Sequence, residues 1–268
     1  MSEIPLIDIH QATVWRGSTC VFRDFSLTIG RNERVAVLGP NGSGKTTLLK
    51  TITQEVRPVY SESSWIKILG QQRWDVWDLR QHFGLVSEDL QGNFLPGASV
   101  VDVVVSGFFA TIGVHSHQVA QISDGQRERV HTVMQLMGIA ALGDRVYQSL
   151  STGQKRRCLL ARALVHQPET LIFDEPMSGL DITAGFDLME RVRALAQNGT
   201  GLVWVTHHLN DIPPEIDRVV VLRNGRIVAD GPKKVVLTEA LLNEVYETDL
   251  RIAEIEGYFF AYPNIHES

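Results

Sequence analysis

Cysteine is scarce: Cys20 and Cys158 are the only two in 268 residues. Two isolated thiols exclude a disulfide framework and give no metal-ligand spacing. They point to a reducing compartment, with both side chains packing rather than reacting. Long apolar runs are also missing. The longest, Val100 to Val114, is interrupted by Asp102 and Ser106, too short and too broken to span a bilayer. Basic excess is absent too, and a net charge of -6 argues against a nonspecific nucleic-acid binder. The start, Met-Ser-Glu-Ile-Pro, lacks the basic end and apolar centre of a secretion signal. No internal repeat or low-complexity linker stands out. What remains is the composition of an ordinary globular protein, long enough to bury a sizeable core.

The most informative stretch is Gly39, Pro40, Asn41, Gly42, Ser43, Gly44, Lys45, Thr46 and Thr47, which matches the pattern G-x-x-x-x-G-K-[ST]. Glycines at such a turn let backbone N–H groups point inward at a polyphosphate. Lys45 would reach the β- and γ-phosphates, and the Thr46 hydroxyl would ligate Mg²⁺. Arg34 to Leu38 reads as the buried strand entering the loop, and Thr46 to Thr53 as the helix leaving it, its positive end on the phosphates. Trp15, upstream, is read either as a core residue or as a flat surface for a nucleobase.

Further along, Phe25, Leu27 and Ile29 alternate with Ser26 and Thr28 as in a half-buried strand. Trp65 to Leu69 and Phe83 to Ser87 read as strands, with a polar link over 70–81 between them. Residues from about 92 to 165 look helical; Val130, Val133, Met134 and Met137 share one face that reads as core, with Gly138 as the stop. His115 and His117 have no acidic or Cys partners and are taken as surface loop. Leu150-Ser151-Thr152-Gly153-Gln154 opens a helix, where a Ser is usually an N-cap. Leu171 to Phe173 reads as a buried strand ending in Asp174 and Glu175. Opposite pleat faces let these two carboxylates do different jobs: Mg²⁺ binding through water for Asp174, proton acceptance from water for Glu175. Ser178 to Asp181 makes a turn that caps the next helix. Gly201 to Thr206 delivers His207 and His208 to a strand end, and Asn224-Gly225 signals a hairpin. The tail from about 236 reads as helical through Tyr246, then mixed.

These stretches, in this order, resemble the ATP-binding-cassette ATPases over nearly the whole chain. In that family's terms residues 39–47 are the Walker A loop and residues 150–154 the signature motif, with Thr152 where Gly is commonest. Asp174 and Glu175 match the Walker B aspartate and catalytic glutamate, residues 178–181 the D-loop, and His207 the switch histidine. Trp15 matches the base-stacking aromatic. Glu88 stands where the family usually carries a Gln that touches Mg²⁺ and the attacking water. A carboxylate there would hold Mg²⁺ more tightly or slow γ-phosphate sensing. The stretch from Trp74 to Gln91 also looks like a stand-alone bacterial subgroup near the molybdate and iron-chelate importers.

The resemblance implies an α/β P-loop NTPase core with an antiparallel β subdomain and a helical insertion. Residues 1–91 and 166–235 would form the core, 92–165 the helical subdomain and 236–268 a helical C-terminal extension. It implies ATP and Mg²⁺, held by Trp15, residues 39–47, Glu88 and Asp174. It further implies a head-to-tail homodimer in which Ser151, Gly153, Gln154 and Asp181 of one copy face the other copy's ATP. Catalysis would fall to Glu175, Lys45 and His207. Two functions fit. One is the ATPase subunit of a transporter, cytoplasmic and held at the membrane by a separate integral permease that it contacts through residues near 92–120, importing a small solute. The other is a soluble non-transport ATPase with a regulatory or nucleic-acid-associated role. The lack of a second cassette or a long basic insertion favours transport, without direct nucleic-acid contact.

Overall fold

A computed structural model describes residues 4–111 and 122–264. His115 and His117, and part of the expected permease-docking stretch, lie outside the described residues. In chain order the structure runs β1 (Ile7–Arg16), β2 (Thr19–Ile29), β3 (Arg34–Leu38), α1 (Lys45–Ile52) and β4 (Trp65–Ile68). Next come α2 (Val76–His82), β5 (Phe83–Ser87), α3 (Glu88–Gly92), α4 (Val100–Val105), α5 (Asp124–Leu136), α6 (Thr152–Leu164), β6 (Thr170–Asp174) and α7 (Ile182–Gln197). The chain closes with β7 (Gly201–Thr206), β8 (Arg218–Arg223), β9 (Arg226–Pro232), α8 (Lys233–Val236), α9 (Glu239–Tyr246), β10 (Leu250–Ile255) and β11 (Tyr258–Pro263). Tertiary contacts divide it into two compact units, Met1–Trp74 with Gly201–Ser268, and Asp75–Thr200.

In the first unit β3 pairs in parallel with β7 and with β8, and β8 pairs antiparallel with β9. Val35 to Leu38, Leu202 to Val205 and Val219 to Leu222 are fully buried. Parallel strands covered on both faces print as unbroken apolar runs, so these strands were visible in the sequence. A separate antiparallel sheet orders β2-β1-β4. There Phe25, Leu27 and Ile29 are buried as their alternation predicts. Strand β4 stops at Ile68 because Leu69 and Gly70 both adopt positive φ. The Asn224-Gly225 hairpin forms as expected, with φ of 49° and 72° at its two central residues. Positive φ at both positions is the primed turn that matches strand twist.

The C-terminal extension departs from expectation. It is helical through Tyr246, but α9 ends at Glu247 in a left-handed conformation. Beyond it the chain forms the antiparallel hairpin β10–β11 rather than further helix. Glu256 and Gly257, at φ of 51° and 81°, make the same kind of two-residue turn.

In the second unit β5 and β6 are parallel, in a register that pairs Ser87 with Asp174. Helix α6 packs on β5, α4, α5 and α7. Val130, Val133, Met134 and Met137 are buried, and Gly138 takes φ of +63° just past α5. The polar link over 70–81 contains α2, a short helix the sequence did not reveal. Burial pushes the Cys158 thiol well up, as suits an inert packing residue. Among the described residues, no helix is long and apolar enough to cross a membrane.

Candidate functional site

In the first unit the phosphate loop joins β3 to α1. Its conformation depends on close approach. A Cβ on Gly39 would lie 2.3 Å from the Leu222 carbonyl oxygen. Gly44 caps α1 at φ of 111° with the Phe22 ring 2.8 Å from where its Cβ would stand. No L-side chain suits that backbone, which is why the pattern fixes glycine here. The Ser43 N–H donates to Pro40 O at 3.2 Å, and the Ser43 hydroxyl is buried without a hydrogen-bond partner. Lys45 is buried, its Nζ donating to Gly39 O at 2.8 Å and Pro40 O at 3.2 Å. Thr46 is exposed, whereas Thr47 is buried. An orphaned buried hydroxyl, an ammonium and a helix N-terminus together suit a polyphosphate.

Two more candidate residues lie in this unit. Trp15 stands at the end of β1, paired with Cys20 across the turn and 45% exposed. That exposure removes the core reading. His207 follows β7; its ring centroid is 3.8 Å from that of His208, and its backbone carbonyl accepts a 3.1 Å hydrogen bond from the Tyr246 hydroxyl.

The second unit holds the rest. Ser151 caps α6: its hydroxyl accepts from the Gln154 N–H at 3.3 Å, and Gln154 Oε1 accepts from the Ser151 N–H at 3.1 Å. In this capping box the serine still has its own O–H to donate. Gly153 is required by packing as well, since its Cβ would stand 2.7 Å from that of Ala184. Asp181 caps α7, accepting from the Ala184 N–H at 2.8 Å, as the sequence indicated. Asp174 is half-buried at the end of β6. Glu175 follows with φ of 48°, sparsely populated for a non-glycine residue, and its carbonyl accepts from the Ser178 N–H at 3.1 Å. Such backbone conformations concentrate at functional sites. Glu88 is exposed and opens α3 immediately after Ser87, the register partner of Asp174. Gln91 follows it in the same helix, with its Oε1 buried and unpartnered.

Residues 22–178 match the ABC transporter family model, more than half of the chain. The chain belongs to the ABC transporter family of ATPases. The match spans residues 39–47, 150–154 and 171–175 and ends before Asp181 and His207. An uncharacterised ABC transporter ATP-binding protein of Bacillus subtilis, YlmA, is 30% identical over 92% of this chain and 93% of its own length. The hemin import ATP-binding protein HmuV of Bradyrhizobium diazoefficiens is 31% identical over 88% of this chain and 87% of its own. The structure of CbiO1 from Clostridium perfringens, part of the ABC transporter complex CbiONQ, superposes with a TM-score of 0.71 at 27% identity. It covers 90% of this chain and 94% of that one.

Two residues that bear on this ABC ATPase's site were not visible in the motifs. Gly225, in the β8–β9 turn, donates its N–H to Ser43 O at 2.9 Å and so braces the phosphate loop from outside it. Tyr246 holds the backbone at His207. Both lie far along the chain from their partners, so no local pattern could announce them.

Proposed function

We propose that two copies of this ABC ATPase close head to tail over two ATP molecules and power import of a small solute through a separate membrane permease. The observation that carries the reading is the phosphate loop in its strand–loop–helix setting, with one copy of each companion motif. A single signature helix per chain means that a second chain must supply it to each ATP. The import name of the hemin relative favours that direction of transport. A peripheral position at the membrane, through the permease, follows.

The loop amides and Lys45 bind the phosphates, and Trp15 stacks on the base. Mg²⁺, when bound, supplies Lewis-acid stabilisation of phosphoryl oxygens. Thr46, Asp174 and Glu88 are the oxygen donors suited to that hard cation. Ser151 donates its O–H, and Gly153 its N–H at a positive helix end, to the terminal phosphate of the partner copy's ATP. Glu175 takes the proton of the attacking water as the new P–O bond forms and the bond to ADP breaks. His207 and Lys45 offset charge on the transferring group. Loss of the terminal phosphate removes the tie between the two copies.

Replacing Glu175 with Gln tests this. Turnover should fall by about 10²–10⁴, the usual worth of a general base. ATP should then shift the variant from monomer to dimer in sedimentation. A monomeric, ATP-loaded Glu175→Gln protein overturns the sandwich, and wild-type turnover overturns the role of Glu175.

A further inference from the structure

The segment from residue 207 to 214, just after β7, is tied to the C-terminal extension at three separate places, the third through Lys233 just ahead of it. The Tyr246 hydroxyl, at the end of α9, donates to His207 O at 3.1 Å. The Ala261 N–H, in β11, donates to Asn210 Oδ1 at 3.1 Å, and β11 packs on the short 3-10 turn Leu209–Asp211. The Lys233 ammonium gathers Pro213 O at 3.2 Å, Pro214 O at 2.9 Å and Gly257 O at 3.1 Å, joining the segment to the tip of the β10–β11 hairpin. Lys233 is buried, so these three carbonyls take up all three of its donors out of water. The Gly257 turn also packs directly against Pro214.

We propose that the C-terminal extension is a positioning clamp for the switch histidine. It fixes the backbone of residues 207–214 and so presents the His207 imidazole in one orientation. Tyr246 and Asn210 are positioning residues, acting through His207. The proposal rests on the role given to His207 above. A ligand or protein that pulls the β10–β11 hairpin away would slow hydrolysis without touching nucleotide.

Full-length Tyr246→Phe keeps the ring and removes the hydroxyl. Its kcat should fall about three- to tenfold, the worth of one hydrogen bond expressed as misplacement, with KM for ATP within about twofold of the wild type. Asn210→Ala should behave alike. Tyr262→Phe, at an exposed position of the same hairpin, should leave kcat unchanged. Backbone amides of residues 207–214 should exchange faster in Tyr246→Phe without nucleotide. The deciding measurement repeats Tyr246→Phe in a His207→Ala background, where it should cost nothing further. If the cost is the same with and without the imidazole, or exchange in the segment is unaltered, the clamp is overturned. If His207→Ala alone turns over at the wild-type rate, the assignment of His207 falls, and it does so independently of the exchange result.

Discussion

Gly225→Ala probes whether the β8–β9 turn restrains the phosphate loop. At φ of 72° an alanine pays the left-handed penalty, about 1–2 kcal/mol. Its Cβ would also lie 1.7 Å from the Val21 carbonyl oxygen. That neighbour is backbone and cannot swing aside, so the turn must shift, at the typical overpacking cost of about 1–3 kcal/mol. The shift also loosens the Gly225 N–H bond to Ser43 O, worth about 0.5–1.5 kcal/mol. Together these come to roughly 3–6 kcal/mol, or a drop in Tm of roughly 6–24 °C for a chain of this size. ATP affinity should weaken by about tenfold as well, because the loosened bond anchors the loop itself. Gly17→Ala is the control. Gly17 has a similar φ of 58°, but open space where its Cβ would be. It should lose only about 1–2 kcal/mol and bind ATP normally. Thermal melts and calorimetric ATP titrations of both variants decide the matter. Equal melting of the two, with ATP affinity unchanged in Gly225→Ala, refutes the brace.

Three further perturbations separate roles that share one residue or one helix. Burial and the Arg162 guanidinium push the His166 imidazole down to about 4. The unfolded chain, with an ordinary value near 6.5, therefore binds more protons between those limits, and stability falls as pH drops from 6.5 toward 4. His166→Gln should remove about 2–4 kcal/mol of that acid loss in denaturant midpoints measured across the range; an identical acid slope in both proteins counts against it. Ser151→Ala should cost about 1 kcal/mol as a lost cap, while Ser151→Asp keeps the cap but brings a negative charge to where the proposal puts the partner's phosphate. Ser151→Asp should therefore melt higher yet turn over at least about tenfold more slowly, and equal rates would exclude a phosphate role. Arg156, in α6, is 1% exposed, and its Nε and Nη1 have no hydrogen-bond partner. Burial pushes its guanidinium down, and Glu88, Tyr147 and Asp174 pull it back up. Arg156→Gln should thus shift Tm by a different amount in a Glu88→Gln background than in the wild type; equal shifts would show the charges to be uncoupled.

The chemistry was legible where a motif fixes residue types locally. The loop was readable because close approach of Leu222 O at Gly39, and of the Phe22 ring at Gly44 with its positive φ, leaves room only for glycine. Strands β3, β7 and β8 were readable because burial on both faces leaves no polar position. Ser151 and Asp181 were recognised as helix caps from their type and place. Trp15 was undecidable from its neighbours, since core and surface tryptophans have the same local sequence; only its exposure separates them. Gln154 was assigned to nucleotide through the family, and the structure adds that it closes the cap of its own helix. Helix α2 escaped because seven residues carry too little periodicity to announce a helix. The C-terminal hairpin escaped because Glu256-Gly257 is a weaker turn signal than Asn224-Gly225. The tethers from Gly225, Tyr246 and Lys233 are products of tertiary folding and leave no mark on any short window.

The exposure of Trp15 gives the protein an optical reporter of its own. With the base stacked on Trp15 as proposed, its indole emission should change on ATP binding, against a background from the four other tryptophans, of which Trp204 is fully buried. Titrating ATP while watching emission should therefore follow occupancy directly, with Trp15→Phe as the blank, and rapid mixing would time arrival of the base separately from hydrolysis.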